Sequence, residues 1–105
     1  APAARRGAVD AASLDRLAGR NVTVVGLPCA RRGVETKRGE PMLFLTLADR
    51  SGLAECVLFP DNYRRLAPAL RGEIVPVAGR VDDTLGAIAV NVQSAQAIGA
   101  GTILQ

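Results

Sequence analysis

Histidine and tryptophan are absent from this chain, and its aromatic residues are only Phe44, Phe59 and Tyr63. Without an imidazole there is no Ser/His or Cys/His nucleophile pair and no ready acid–base residue. Cys29 and Cys56 stand 27 positions apart with no partner ligands, which matches no zinc spacing and gives no reason to expect a metal. Each is expected to act as a small buried hydrophobe. No apolar run reaches the length of a membrane span, and no signal-peptide pattern is present, so no membrane partner is expected. Two cysteines without an extracellular signature predict a reducing cytoplasm.

Large hydrophobes are also in short supply. Of the 51 apolar residues 18 are alanine, which leaves 33 to fill a core within 105 residues. That is enough for one small domain and excludes a large enzyme. The remaining catalytic possibilities fail one by one. Asp82 and Asp83 are adjacent and point to opposite faces of an extended chain, so they read as a solvated turn. The single lysine, Lys37, lies in a polar stretch with no apolar pocket to lower its pKa. Gly33 and Gly39 lack the spacing and the strand-to-helix setting of a phosphate cradle. No cofactor is therefore expected. The chain opens on Ala1 rather than Met, which predicts a processed chain or a segment of a longer one.

What the chain does have is arginine. Twelve of its 13 cations are Arg against 10 acids, a net charge of +3 that permits a polyanion partner without demanding one. Arginine suits bidentate contact with phosphate and stacking on bases. A high-GC genome raises Arg and Ala together as well, so composition alone does not decide.

The patterning is mostly that of strands. Residues 1–19 form a polar lead followed by a short helical pattern over Ala8 to Leu17, stopped by Gly19. Val22 and Val24 then alternate in a strand that Gly26 and Pro28 should bend or bulge. Arg31 to Pro41 reads as an exposed loop with four cations. Leu43, Leu45 and Leu47 share one face of the clearest strand, and Met42, Phe44, Thr46 and Ala48 share the other. Asp49-Arg50-Ser51-Gly52 is a hairpin turn, and Leu53 to Phe59 is the return strand. Pro60 opens a short helix bearing Tyr63, Leu66 and Leu70, with Pro68 limiting its length. Ile74 to Asp82 and Ala87 to Gln96 are two further strands, and Pro76 belongs at an edge or bulge. Residues 99–105 read as a loose tail.

Five strands with a short helix between the third and fourth, preceded by a short N-terminal helix, predict an all-β fold. The layout is that of an OB-fold Greek-key barrel spanning residues 20–98. On such a barrel nucleic acid crosses the second and third strands, flanked by the loops joining strands one to two and four to five. If the three leucines fill the barrel, Phe44 points outward. It then either stacks on a base or is covered by the N-terminal helix or a neighbouring domain. Phe59 and Tyr63 read as packing residues. Arg31, Arg32, Lys37 and Arg38 fall beside the same face, with Thr46 next to Phe44 on its strand. Arg80 partly offsets the acidic turn at Asp82 and Asp83. The site so defined is non-catalytic, and its binding of single strands is weak and salt-sensitive.

The run KRGEPMLFLTLADRSGLAECVLFPDNYRRLAPAL, then VPVAGRVDD and a valine-rich last strand, resembles the OB domain near the carboxyl end of bacterial DNA polymerase III alpha subunits. The similarity is nearest to the error-prone, damage-tolerant relatives. Its most specific part is Met42, Phe44, Thr46, Leu47, Asp49, Gly52, Phe59-Pro60 and Tyr63 in that spacing. A more distant likeness, through Val22, Val24, Gly26, Arg31, Arg32, Phe44, Leu47 and Asp49, is to the anticodon-binding barrel of aspartyl-type tRNA synthetases. There the phenylalanine matching Phe44 stacks on an anticodon base. The polymerase resemblance implies a barrel near single-stranded template DNA in replication, repair or translesion synthesis. It also implies contacts with other domains of the parent polymerase and with replication or repair factors. Ala48, where an acidic residue is common, and the acidic turn at 82–83 depart from the family pattern. The other readings are a protein–protein docking module that buries Phe44, and an anticodon-binding RNA module.

Overall fold

A computed structural model describes residues 8–96, so the polar lead of residues 1–7 and the tail expected at 99–105 lie outside the described residues. Five strands, β1 (Asn21–Glu35), β2 (Pro41–Asp49), β3 (Gly52–Leu58), β4 (Val75–Asp82) and β5 (Ala89–Ala95), close into a barrel in the order β1-β2-β3-β5-β4. All pairings are antiparallel except a short parallel seam between β3 and β5 at Cys56–Val90 and Val57–Asn91. The leucine triplet behaves as its alternation dictates: Leu43, Leu45 and Leu47 are buried in the core with Val24, Val75, Val77, Val81, Val90 and Val92.

Closure depends on β1, which serves two partners. Its first half, Asn21 to Gly26, pairs with β4, and its second half, Leu27 to Glu35, pairs with β2. Gly26 stands at the changeover, where a β-carbon would approach the Ala48 carbonyl oxygen to 2.8 Å and the Leu47 β-carbon to 3.0 Å. A bulge follows between Pro28 and Ala30. The bend expected near Gly26 and Pro28 is therefore present, and it turns one long strand around the corner of the barrel.

That length corrects the expected loop. Arg31 to Glu35 are strand residues, paired one for one with Leu45 to Pro41, and only Thr36 to Glu40 form the connection. Thr36 organises it: its hydroxyl accepts from the N–H groups of Arg38 and Glu40, and its own N–H donates to the Glu40 carbonyl. Loop composition misled because arginine and glycine are both tolerated on an exposed strand once the partner strand supplies the ladder. Pro76 sits where its missing donor does least harm, since its carbonyl accepts from Gln96, just past the last β5 partner of β4.

Two short helical segments plug opposite ends of the barrel. Helix α1 (Pro60–Leu66), extended by a 3₁₀ turn over Ala67–Arg71, brings Tyr63, Leu66 and Leu70 onto the core. Arg64 reaches Glu40 at 3.2 Å beside the β1–β2 connection. At the other end the N-terminal helix is shorter than expected and of 3₁₀ type, Ala11–Arg16, with Ala11 and Leu14 buried.

Asp49 ties that helix to the β2–β3 turn. One carboxylate oxygen accepts from the Ala11 N–H at 2.8 Å; the other accepts from the Ser51 N–H, the Ser51 hydroxyl and the Gly52 N–H. Burial alone would raise its pKa, but these bonds, with the Ser51 hydroxyl foremost, hold it below the ordinary value. A depressed folded pKa contributes stability that is fully present at neutral pH. That contribution fades as pH falls below about 4 and is gone below the folded value. Asp49→Asn is expected to lower stability at pH 7 by about 1–2 kcal/mol and to flatten its loss between neutral and acid pH, as read from urea midpoints. Equal pH dependence in the variant and the parent chain would show that Asp49 is not the responsible group.

Candidate nucleic-acid interface

The outer surface of β1, β2 and β3 is a grid of three rows set by strand pairing. Arg32, Phe44 and Val57 are cross-strand partners in the first row; Ala30, Thr46 and Glu55 form the second. Leu27, Ala48 and Leu53 form the third. The rows differ in chemistry. The first pairs a cation with an aromatic ring, the second is polar with one acid, and the third is apolar, with Leu27 54% and Leu53 60% exposed.

Phe44 is half-buried and on the outer face, and the Arg32 guanidinium lies 4.8 Å from its ring centroid. The N-terminal helix does not cover it, being bound at the far end of β2 through Asp49. Such a cation–π contact at an accessible site is worth about 0.5–1 kcal/mol. Val57, next in the row, is 1% exposed although it lies outside the barrel core, so it forms an apolar floor between Phe44 and Asn91. Thr46 donates its hydroxyl hydrogen to Glu55 at 2.9 Å, which fixes a carboxylate one row from the ring.

The expected cationic cluster divides. Lys37 and Arg38 are exposed in the connection beyond the first row, and Arg32 shares the face with Phe44. Arg31, its neighbour on the strand, points the other way and donates to the Leu70 carbonyl at 2.8 Å, clamping the end of the interior helix. Arg64 and Arg65 are likewise engaged, Arg64 with Glu40 and Asp61, Arg65 with the Gln93 carbonyl and Asn62.

Arg80 stands further round the barrel in the same circuit as Phe44. Val57 pairs with Asn91, Asn91 with Arg80, and Arg80 with Asn21, which lies eleven positions before Arg32 on β1. The row thus spirals once around the outside, as strand tilt in a closed barrel requires. Three strand spacings separate Phe44 from Arg80, on the order of 14 Å along the sheet. Two residues beyond Arg80 on the same face is Asp82, whose carboxylate accepts from the Thr84 N–H, followed by exposed Asp83.

Glu55 and Val57 were open to sequence reasoning. The turn pairs Asp49 with Gly52, and counting outward brings Thr46 opposite Glu55 and Phe44 opposite Val57. Asn91 was not, because it reaches the row only through the parallel seam. The two cysteines lie in different surroundings. Burial, with Glu55 adding to it, pushes the Cys56 thiol up to about 12, and Cys29 is exposed at the bulge, against expectation, with its thiol directed to the Thr46 carbonyl. Among the described residues no three His, Cys, Asp or Glu side chains gather as metal ligands, and no helix is long and apolar enough to cross a membrane.

Comparison with known proteins gives the same architecture. An asparaginyl-tRNA synthetase structure from Pyrococcus horikoshii superposes with a TM-score of 0.68 over 89% of this chain and 22% of that one, at 20% identity. The second OB-fold domain of replication protein A from Methanococcus maripaludis does so at 0.53 over 79% of this chain and 88% of that one, at 17% identity. At such identities the likeness is one of fold. In sequence, DNA polymerase III subunit alpha of Bacillus subtilis is 36% identical over 78 residues, 73% of this chain and 7% of that protein. An error-prone DNA polymerase of Anaeromyxobacter dehalogenans is 40% identical over 74 residues, 70% of this chain and 6% of that protein. The chain therefore matches a small region of these polymerases. Residues 22–98, from the second residue of β1 to beyond β5, match the family described as the OB-fold nucleic acid binding domain, and the chain belongs to that family, with sequence relatives among DNA polymerase III alpha subunits and error-prone polymerases.

Proposed function

We propose that this domain is a non-catalytic module that holds single-stranded DNA beside a replicative or translesion polymerase of the DNA polymerase III alpha type. The observation that carries the reading is the Arg32–Phe44–Val57 row: an aromatic ring on an apolar floor, with Lys37 and Arg38 at the adjoining hairpin tip. A base stacked on Phe44 contributes about 1–3 kcal/mol. Displacing Arg32 from the ring costs about 0.5–1 kcal/mol, so the net gain is small and binding is weak. Arg32 is then free to meet a phosphate. The polymerase relatives favour DNA over the RNA of an anticodon.

With Arg31 engaged by Leu70, three cations remain for phosphates, Arg32 at the ring and Lys37 and Arg38 at the hairpin tip. At about 0.7 per contact for single strands, log affinity should fall against log salt with a slope of about −2. Fluorescence anisotropy of a labelled oligonucleotide over a salt series measures it. A slope near zero, or no binding at near-millimolar oligonucleotide and low salt, overturns the reading.

A second reading, a docking module for another domain of the parent polymerase, has its own supporting observation. It is not the Phe44 row but the Leu27–Ala48–Leu53 row at the other end of the face. This row borders a groove of about 680 Å³ whose lining is apolar at Val9, Val25, Leu27, Ala48 and Ile74 and charged at one rim by Asp10, Asp49 and Arg50. Since the chain spans about 7% of its polymerase relative, apolar surface of this kind fits a seat for a neighbouring domain of that longer chain. Both roles fit on one barrel because about 13 Å of strand separates Phe44 from Ala48.

A further inference from the structure

On the side of the barrel away from Phe44, strand β5 carries a bulge. Ala78 pairs with Ser94 and Gly79 with Val92, which leaves Gln93 without a partner. An extra residue in a strand breaks the alternation of sides. Consequently Gln93 and Ser94, consecutive in sequence, are both exposed. The bulge is a held feature: from its other side Arg65 donates to the Gln93 carbonyl at 2.6 Å and Asn62 to the Val92 carbonyl at 3.1 Å.

Beside the two turned-out side chains stand Asn21 and Thr23 of β1, and the four surround a groove of about 220 Å³ floored by Ala78 and Gly79. No hydrogen bond from these four side chains is made among the described residues, so their amides and hydroxyls face the groove uncommitted. Asn21 is the cross-strand partner of Arg80, an exposed arginine at the rim of the groove whose guanidinium extends toward Gly19.

Charge selects this route. A strand leaving Phe44 along β2 and β3 meets Glu55 and then the apolar row, and one leaving over the β4–β5 turn meets Asp82 and Asp83. Along the row it passes over the buried Val57 to Asn91 and Arg80, and the row itself holds no acid, Asp82 lying two residues further along β4. We propose that the single strand follows this row around the barrel. A second nucleotide then sits in the Asn21–Thr23–Gln93–Ser94 groove, its phosphate on Arg80 and its sugar and base edges on the amides and hydroxyls. The inference rests on the proposed single-strand binding at Phe44 and extends it.

Oligonucleotide length separates the two sites. Single-stranded DNA of about 4 nucleotides fills the Phe44 row alone, whereas about 12 also reach the groove. Asn21→Ala/Gln93→Ala removes two exposed side chains and should weaken binding of the longer oligonucleotide about fivefold while leaving the shorter unchanged. Gln93→Glu, which sets a negative charge beside the phosphate, should do the same by at least as much. Unchanged affinity for both lengths, or equal weakening of both, overturns the groove. If Phe44→Ala weakens both lengths while the groove variants affect neither, only the extension fails. If the parent domain binds neither length, the Phe44 reading fails with it.

Discussion

Phe44→Ala is expected to weaken binding of single-stranded DNA about tenfold while leaving the barrel folded. The ring is on the outer face, so its removal opens no cavity among Leu45, Leu47 and the valines of the core. What it removes is the stacking surface, worth about 1–3 kcal/mol per base, or roughly 5- to 150-fold in affinity. The lower part of that range applies, because Arg32 already occupies the ring in the free domain and its contact is given up on binding. Phe44→Tyr should retain most of the affinity, since it keeps the π-face. Anisotropy titrations of the three proteins at one low salt concentration decide the matter. If alanine binds as well as phenylalanine, the aromatic row is not the platform and docking at the apolar end becomes the leading account.

The largest effect on stability is expected at Gly79. Its place on β4 faces the barrel interior, and a β-carbon there would overlap the Asn91 carbonyl and lie 3.0 Å from the Val92 α-carbon. Both obstacles are backbone atoms of the neighbouring strand, so no rotamer change relieves them. The β4–β5 ladder must open, and with it the bulge at Gln93. Gly79→Ala should lower stability by about 3 kcal/mol or more, a large share of the 5–15 kcal/mol typical of a domain. Gly33→Ala is the matched control. It also lies in a strand, but a β-carbon there meets nothing within 4 Å, so the change should fall within about 0.5 kcal/mol of neutral or stabilise slightly. Urea denaturation of both variants measures the difference. Equal stability would mean that the close approach at Gly79 is not maintained in solution.

The two glycines show where sequence reasoning reaches its limit. Gly33, in a run of arginines and glycines, suggested a loop, whereas pairing with Leu43 makes it strand. Gly79 reads as one more small residue on the valine face, and nothing in its neighbours announces that it receives the backbone of β5. The same holds for the arginines. Arg31 and Arg32 are adjacent and chemically identical, yet one clamps Leu70 and the other covers Phe44, because a strand sends neighbours to opposite sides.

By itself the sequence determined whatever depends on contacts close along the chain. The alternation of Leu43, Leu45 and Leu47 decided which face is core and therefore that Phe44 is outside. The Asp49–Gly52 turn fixed the β2–β3 register, and Pro60 started the interior helix. The count and order of these elements were enough to specify the barrel. Only the tertiary structure decided the site's extent. The division of β1 between two partners brought Arg32 opposite Phe44, and the parallel seam brought Asn91 and Arg80 into its row. The bulge in β5 turned Gln93 and Ser94 outward together. Each of these is a register between strands far apart in sequence. Such registers are set by the tilt and closure of the whole barrel, which no local stretch of residues encodes.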